Sequence, residues 1–196
     1  MARAQRPARA VSQRPGGEGK AATSAGRAAA AGVRLLVVVD GSEASKRAVR
    51  YVGQFAAGRG TVEIRLLHIA SRLPPALLES GGSETTEREE RIEASLHLEQ
   101  SRFAESAEQR AERTFRRARA ALQRAGVAAR RIHTCVSSPR DVRAVVDEVL
   151  LIARDERCRT IVVGHRAHAW YQGLRGGHLA DQLVRKAKGY AVWVIG

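Results

Sequence analysis

The chain has 196 residues, 44% of them hydrophobic and 28% charged, with a formal net charge of +14. That length holds one ordinary domain with a sizeable core and hardly two. Two cysteines, Cys135 and Cys158, exclude a disulfide framework, and no apolar stretch approaches the roughly 20 residues of a membrane span. A reduced, cytoplasmic protein with no membrane partner is therefore expected. Aromatic residues make up only 4% of the chain, so its core must rest on Val, Leu, Ile and Ala. The basic balance favours phosphate-bearing partners but is silent on the fold.

Residues 1–32 consist of Arg, Ala, Gly, Ser and Pro with almost no large apolar side chain. Six basic residues stand there against one acid, Glu18, so the stretch carries +5 of the total and leaves +9 on the remainder. Such a segment cannot bury enough surface to offset its chain entropy, and residues 1–32 are expected to form a disordered basic tail. The run Gly16–Lys20 is not a Walker loop. No strand precedes it, Arg14 stands where the first glycine belongs, and Ala21 follows the lysine.

From Val33 the pattern becomes orderly, and a domain is expected over 33–196. Leu35–Val39 is a continuous apolar run, too short for a helix and rich in Val, which predicts a strand buried on both faces. AspGlySer at 40–42 ends it. Ser42 is a good N-cap for a helix to about Gly58, with Ala44, Ala48, Tyr51, Val52, Phe55 and Ala56 on one face. Val62–Ile69 predicts the second strand. Thr86–Arg124 is strongly helix-forming, with an apolar stripe through Ile92, Leu96, Phe103, Ala107, Ala111, Phe115, Ala118 and Leu122, and Gly126 as its stop. A helix of that length would span nearly 60 Å at about 1.5 Å per residue. A break between about Ser95 and Ser101 is expected, the first part projecting as a lid or partner surface. Arg131–Val136 predicts the third strand, and Ser138 with Pro139 the opening of a helix through Ala153. Thr160–Val163 is the fourth strand, followed by a glycine-bearing loop, a helix from about His178 to Lys188, and Tyr190–Ile195 as the fifth strand. Apolar strands alternating with helices predict an α/β fold, a five-stranded parallel sheet with helices on both faces.

Three blocks carry a family resemblance: Arg34–Val49, the strand end Leu66–Ala70, and Thr160–Gly196. Together they resemble the universal stress protein family over nearly the whole domain and in the correct order. The resemblance implies an adenine-nucleotide α-hydrolase-like sheet in the order 3-2-1-4-5. In such sheets a ligand lies beyond the carboxyl ends of the strands where the order reverses.

What the resemblance implies for residues is specific. The nucleotide-binding branch of the family uses a G-x2-G-x9-G-(S/T) loop after the fourth strand. Its glycines fall on Gly164, Ala167 and Gly177, and its hydroxyl residue on His178. The carboxylate for the nucleoside falls on Asp40 and the apolar adenine contact on Ile69. Val39 and Val163 would line the pocket, while Leu179 and Ala180 would present helix amides to phosphate. Two of the four loop positions thus depart from the pattern. Alanine at a positive-φ position costs roughly 1–2 kcal/mol, and a lost hydroxyl contact to a charged oxygen about 1.5–3 kcal/mol. Arg166, Arg175 or a protonated His178 would partly compensate. The cofactor implied is ATP or another adenine nucleotide, held in a degenerate site.

No catalytic residue and no metal site are expected. Asp40 has no second catalytic group at a recognisable spacing, and His165, His168 and His178 lack a fourth ligand. Nucleic-acid binding is not expected either, because acids accompany the basic residues of the helices, as at Arg88–Arg91 and Ala111–Arg113. The reading is a non-catalytic, cytoplasmic stress-response or regulatory protein that acts through an unknown protein partner and as a homodimer through strand 190–195. An ATP-binding sensor with weak ATPase activity and a basic nucleic-acid-associated module are the alternatives.

Overall fold

A computed structural model describes residues 32–71, 74, 77, 86–139, 144–165 and 179–196. Residues 1–31 of the expected tail lie outside the described residues. The chain folds in the order β1 (Val33–Val38), α1 (Glu43–Ala56), β2 (Val62–Ile69), α2 (Thr86–Arg124), β3 (Ile132–Ser137), α3 (Val145–Asp155), β4 (Thr160–Gly164), α4 (Leu179–Lys186) and β5 (Ala191–Ile195). The five strands form one sheet in the order β3-β2-β1-β4-β5. Every pairing in it is parallel.

The unbroken apolar run of β1 follows from helices on both faces of the sheet. Leu35, Val37 and Val39 point to one core, where Ala48, Val52, Phe115 and Leu122 of α1 and α2 meet them. Leu36 and Val38 point to the other, against Val145, Val149, Leu179 and Leu183 of α3 and α4. A side-chain period of two makes this division unavoidable once both faces are covered. Full burial of each such aliphatic side chain contributes roughly 1.5–3 kcal/mol.

Local signals set the ends of the first elements. The Ser42 hydroxyl accepts the Ser45 amide at 3.1 Å, and Asp40 Oδ1 accepts the Ser42 amide at 2.9 Å. Gly41 between them has φ +81°, a conformation that costs a side-chain-bearing residue about 1–2 kcal/mol. The end of α2 is a Schellman motif: Val127 N–H reaches Leu122 O, Gly126 N–H reaches Gln123 O, and Gly126 has φ +92°.

Two expectations are corrected here. The helix α2 runs without interruption through Ser95–Ser101. It contains no glycine or proline and is rich in Ala, Glu, Arg, Leu and Gln, so local propensity sustains it where the sheet gives no support. Its buried side chains are Ala111, Phe115, Ala118 and Leu122, and none of residues 90–110 is buried. Ile92, expected on the apolar stripe, is 37% exposed. The helix expected to open at Ser138 and Pro139 begins instead at Val145. The chain just before that pair is engaged elsewhere, since the Ser137 hydroxyl contacts Glu148 Oε1 at 2.5 Å and its carbonyl accepts the Ala70 amide.

The two thiols differ in a testable way. Burial pushes the Cys158 thiol up to about 11, and burial also raises Cys135. Cys158 is 1% exposed, whereas Cys135 on the edge strand β3 is half-buried. Because the thiolate is the nucleophile, an aromatic disulfide reagent at pH 8 should modify Cys135 first. Cys158 should react only when the protein unfolds. Equal labelling rates in the folded protein would contradict this placement.

Candidate functional site

The strand ends β1, β2 and β4 converge on Asp40, the first residue past the β1 core. Its Oδ1 is committed to the Ser42 amide, and its backbone N–H faces the Ser45 hydroxyl at 3.3 Å. Its Oδ2 is buried with no hydrogen-bond partner among the described residues. A buried carboxylate oxygen left unmatched is costly, by about 1–3 kcal/mol or more. The turn thus holds the carboxylate rigidly through one oxygen and leaves the other as an acceptor.

Asp40 stands between two hollows. The first, about 500 Å³, opens between α1 and α2 above the ends of β1 and β2. Val39, Asp40, His68 and Ile69 form its floor, Val49 and Ala118 contribute apolar wall, and basic side chains from both helices surround it. The second lies toward β4 and is lined by Asp40, Gly41, Ser42, Ala44, Arg47 and His165. Asp40 borders both, as expected of a residue at the reversal of strand order.

His68 secures the floor. Its Nδ1 donates to the Val39 carbonyl at 2.9 Å, a bond a carbonyl can only accept, so this nitrogen carries the proton. Phe115 of α2 packs edge-on against the imidazole at 6.0 Å between ring centres. Burial lowers the pKa of His68, opposed by the Val39 carbonyl and the Asp40 charge, while Arg110 lowers it further. The imidazole is consequently held neutral at pH 7 and works as a strut joining β1, β2 and α2.

The structure gathers some of the expected residues and separates others. Val39, Asp40 and Ile69 share the first cavity. Val163, Leu179 and Ala180 pack in the core beneath α3 and α4, and their side chains line neither hollow. Val163 points to the opposite face of the sheet from Val39, as the strand period of two requires. Gly164 ends β4 against the first turn of α1, where a Cβ would lie 2.6 Å from the Ala44 carbonyl carbon. Arg166, Ala167, Gly177 and His178 lie outside the described residues.

Sequence reasoning missed the basic wall. Arg110, Arg113, Arg117 and Arg124 of α2 all border the first cavity, together with Lys46 and Arg50 of α1. On α2 the charges are sorted by side, for Glu108 and Glu112 line a separate groove toward β3. Helix α2 is mixed in sequence but one-signed on this face. The spacing 110, 113, 117, 124 is the signal that could have found it, since those steps return to one side of a 3.6-residue helix.

A doubly wound parallel sheet with a hollow at the point where its strand order reverses defines the fold class, an open α/β sheet with helices on both faces. The universal stress protein family matches residues 33–195, and the chain belongs to that family. Among solved structures it is similar to a universal stress protein family member from Burkholderia pseudomallei, with 19% identity, TM-score 0.52, and coverage of 83% of this chain and 94% of that one. It is also similar to a universal stress protein in complex with cAMP (20% identity, TM-score 0.53, 85% and 98% covered). A third is a family protein from Arabidopsis thaliana with AMP bound (16% identity, TM-score 0.51, 83% and 90% covered). At these identities the likeness concerns the fold, and the sheet order 3-2-1-4-5 agrees with it. No curated protein matches this sequence.

Proposed function

We propose that the chain binds an adenine nucleotide over Val39, Asp40 and Ile69 and acts without catalysis as a nucleotide-responsive regulatory protein in the cytoplasm. One observation carries this reading: the three residues share one cavity of about 500 Å³, beside a buried Asp40 oxygen that has no partner among the described residues. A ribose hydroxyl or an adenine amino group would satisfy that oxygen, and Val39, Ile69 and Val49 offer apolar contact to a base. The volume falls within the usual range for small-molecule sites, about 300–1,000 Å³. Two proteins of the same fold hold cAMP and AMP respectively. The non-catalytic part rests on how the groups are engaged. Asp40 Oδ1 is tied into its turn, and His68 Nδ1 is tied to Val39.

Asp40→Asn tests this reading. The side-chain oxygen can still accept from Ser42, so the turn should hold and the thermal transition should move little. The charged acceptor is lost, and ATP affinity by calorimetry should fall about tenfold, or about 1.4 kcal/mol. Equal affinity in the variant would place the nucleoside elsewhere.

The proposal extends to a homodimer through β5. This strand forms one edge of the sheet, and Val194 on it is 38% exposed. An uncovered apolar edge invites pairing with another chain. Replacing Val192 and Val194 with lysine should yield monomer by light scattering, and an unchanged dimer would locate the interface elsewhere.

A further inference from the structure

The first cavity is far more cationic than a nucleoside pocket needs to be. Arg50, Arg110, Arg113, Arg117 and Arg124 border it along with Lys46, against the single carboxylate of Asp40. Lys46 is paired with Glu43 at 2.6 Å, and that pair is exposed. None of the five arginines forms a salt bridge among the described residues, although Arg50 lies near enough to Glu43 to help lower its pKa. Among the described residues the Arg110 guanidinium contacts the Ser106 hydroxyl and lies over the Phe103 ring. Five guanidinium groups and Lys46 against the carboxylates of Asp40 and Glu43 leave four positive charges around a cavity of nucleotide size. Mutual repulsion in such a cluster is relieved by a ligand of matching charge. A single phosphate carries too little, whereas a chain of phosphates carries enough.

The geometry suits a chain as well. From Arg110 to Arg117 the helix advances about 10 Å at roughly 1.5 Å per residue, with Arg113 between them on the same side. Arg50 faces them from α1 across the cavity. Guanidinium groups bind phosphate oxygens through paired N–H donors, which favours them over lysine for this purpose. The floor at Asp40 and Ile69 lies at the closed end, beside the strands, so a ligand anchored there can extend between the two helices.

We propose that the arginine face of α2, completed by Arg50 of α1, is a polyphosphate-binding wall that makes this site select nucleoside polyphosphates, with the phosphate chain lying between α1 and α2. The nucleoside part of this assignment rests on the adenine-nucleotide reading above; the anion part stands on the arginines alone. It transfers the phosphate grip from the loop after β4, where the sequence departs from the family pattern, to a helix face on the other side of Asp40.

The experiment compares inorganic tripolyphosphate, ATP and adenosine by calorimetry against wild type and the double variant Arg113→Ala/Arg117→Ala. Both positions are exposed on α2, so the fold should be retained, and circular dichroism checks that. Wild type should bind tripolyphosphate and ATP, with ATP at least tenfold tighter than adenosine. The double variant should lose at least tenfold for tripolyphosphate and ATP while adenosine is unaffected. Arg113→Lys/Arg117→Lys should recover part of the loss. Tripolyphosphate that fails to bind wild type, or that binds the alanine variant equally well, overturns the proposal. So does an oligonucleotide that binds wild type when tripolyphosphate does not, since the face would then serve a long polyanion. The two readings fail separately. Loss of tripolyphosphate binding in the variant without adenosine binding in wild type sustains the wall and removes the nucleoside site. An Asp40-dependent ATP affinity indifferent to Arg113 and Arg117 does the reverse.

Discussion

Replacing Gly164 by alanine is expected to lower the unfolding free energy by about 3 kcal/mol, the upper part of the usual range for overpacking. A Cβ there would lie 2.6 Å from the carbonyl carbon of Ala44, 2.7 Å from its oxygen and 2.9 Å from its Cβ. Two of these neighbours are backbone atoms in the first turn of α1, which cannot swing aside as a flexible side chain does. Relief requires α1 to move off β4, and that movement carries the Asp40–Ser42 turn with it. The variant should therefore lose ligand affinity along with stability, although residue 164 need touch no ligand. Urea unfolding at constant slope measures the first effect and calorimetry the second. A loss below about 1 kcal/mol would show that β4 and α1 separate readily and that close packing is not what this position requires.

Phe115→Ala should cost about 3–4 kcal/mol, as deletion of a buried aromatic ring usually does. Phe115 is 5% exposed and sits where α2 meets the sheet, with its ring edge-on to His68. The same deletion has an electrostatic consequence. Burial is the main cause of the lowered His68 pKa, so opening the space beside it should move that value back up toward the ordinary 6.5. The sign of the pH effect follows from linkage. In wild type the unfolded chain protonates His68 near pH 6.5 while the folded protein resists until lower pH. The neutral imidazole's contribution is thus complete above pH 6.5 and is lost as pH falls through the lowered folded value. In Phe115→Ala that part of the acid sensitivity should shrink. Thermal unfolding at neutral pH and at pH 5.5, with the imidazole followed by NMR, tests both effects. An undiminished loss of stability on acidification would assign the acid sensitivity to groups other than His68.

How far the sequence reaches depends on the range of the interaction involved. β2 was readable to its last residue, because Val62–Ile69 is bounded by a turn and its burial shows directly as apolar character. The Ser42 cap and the Gly126 stop were equally legible, since each is a bond or a dihedral within a few residues of chain. The expected break in α2 failed for the opposite reason. It was argued from the length of the sheet, while the helix is sustained by its own residues and needs no sheet beneath its first half. Likewise Ser138 and Pro139 have the chemistry of a helix start, but the chain around them is engaged by Ala70 and Glu148.

The site divides along the same line. Asp40 and Ile69 were named because the family resemblance sets them at the ends of the first two strands, and both line the first cavity. The spacing of Arg110, Arg113 and Arg117 also lies in the sequence, and helical phase alone puts them on one side. Which way that side looks is not local information. Phe115, Ala118 and Leu122 dock on the sheet and thereby fix the rotation of α2, and that rotation turns the arginines toward Asp40 and Glu108 and Glu112 toward β3. The sequence determined a doubly wound domain with a carboxylate at its reversal point. Only the packing of one helix against the sheet decided what surrounds it, because the burial of a few apolar side chains sets the orientation of every charge on that helix.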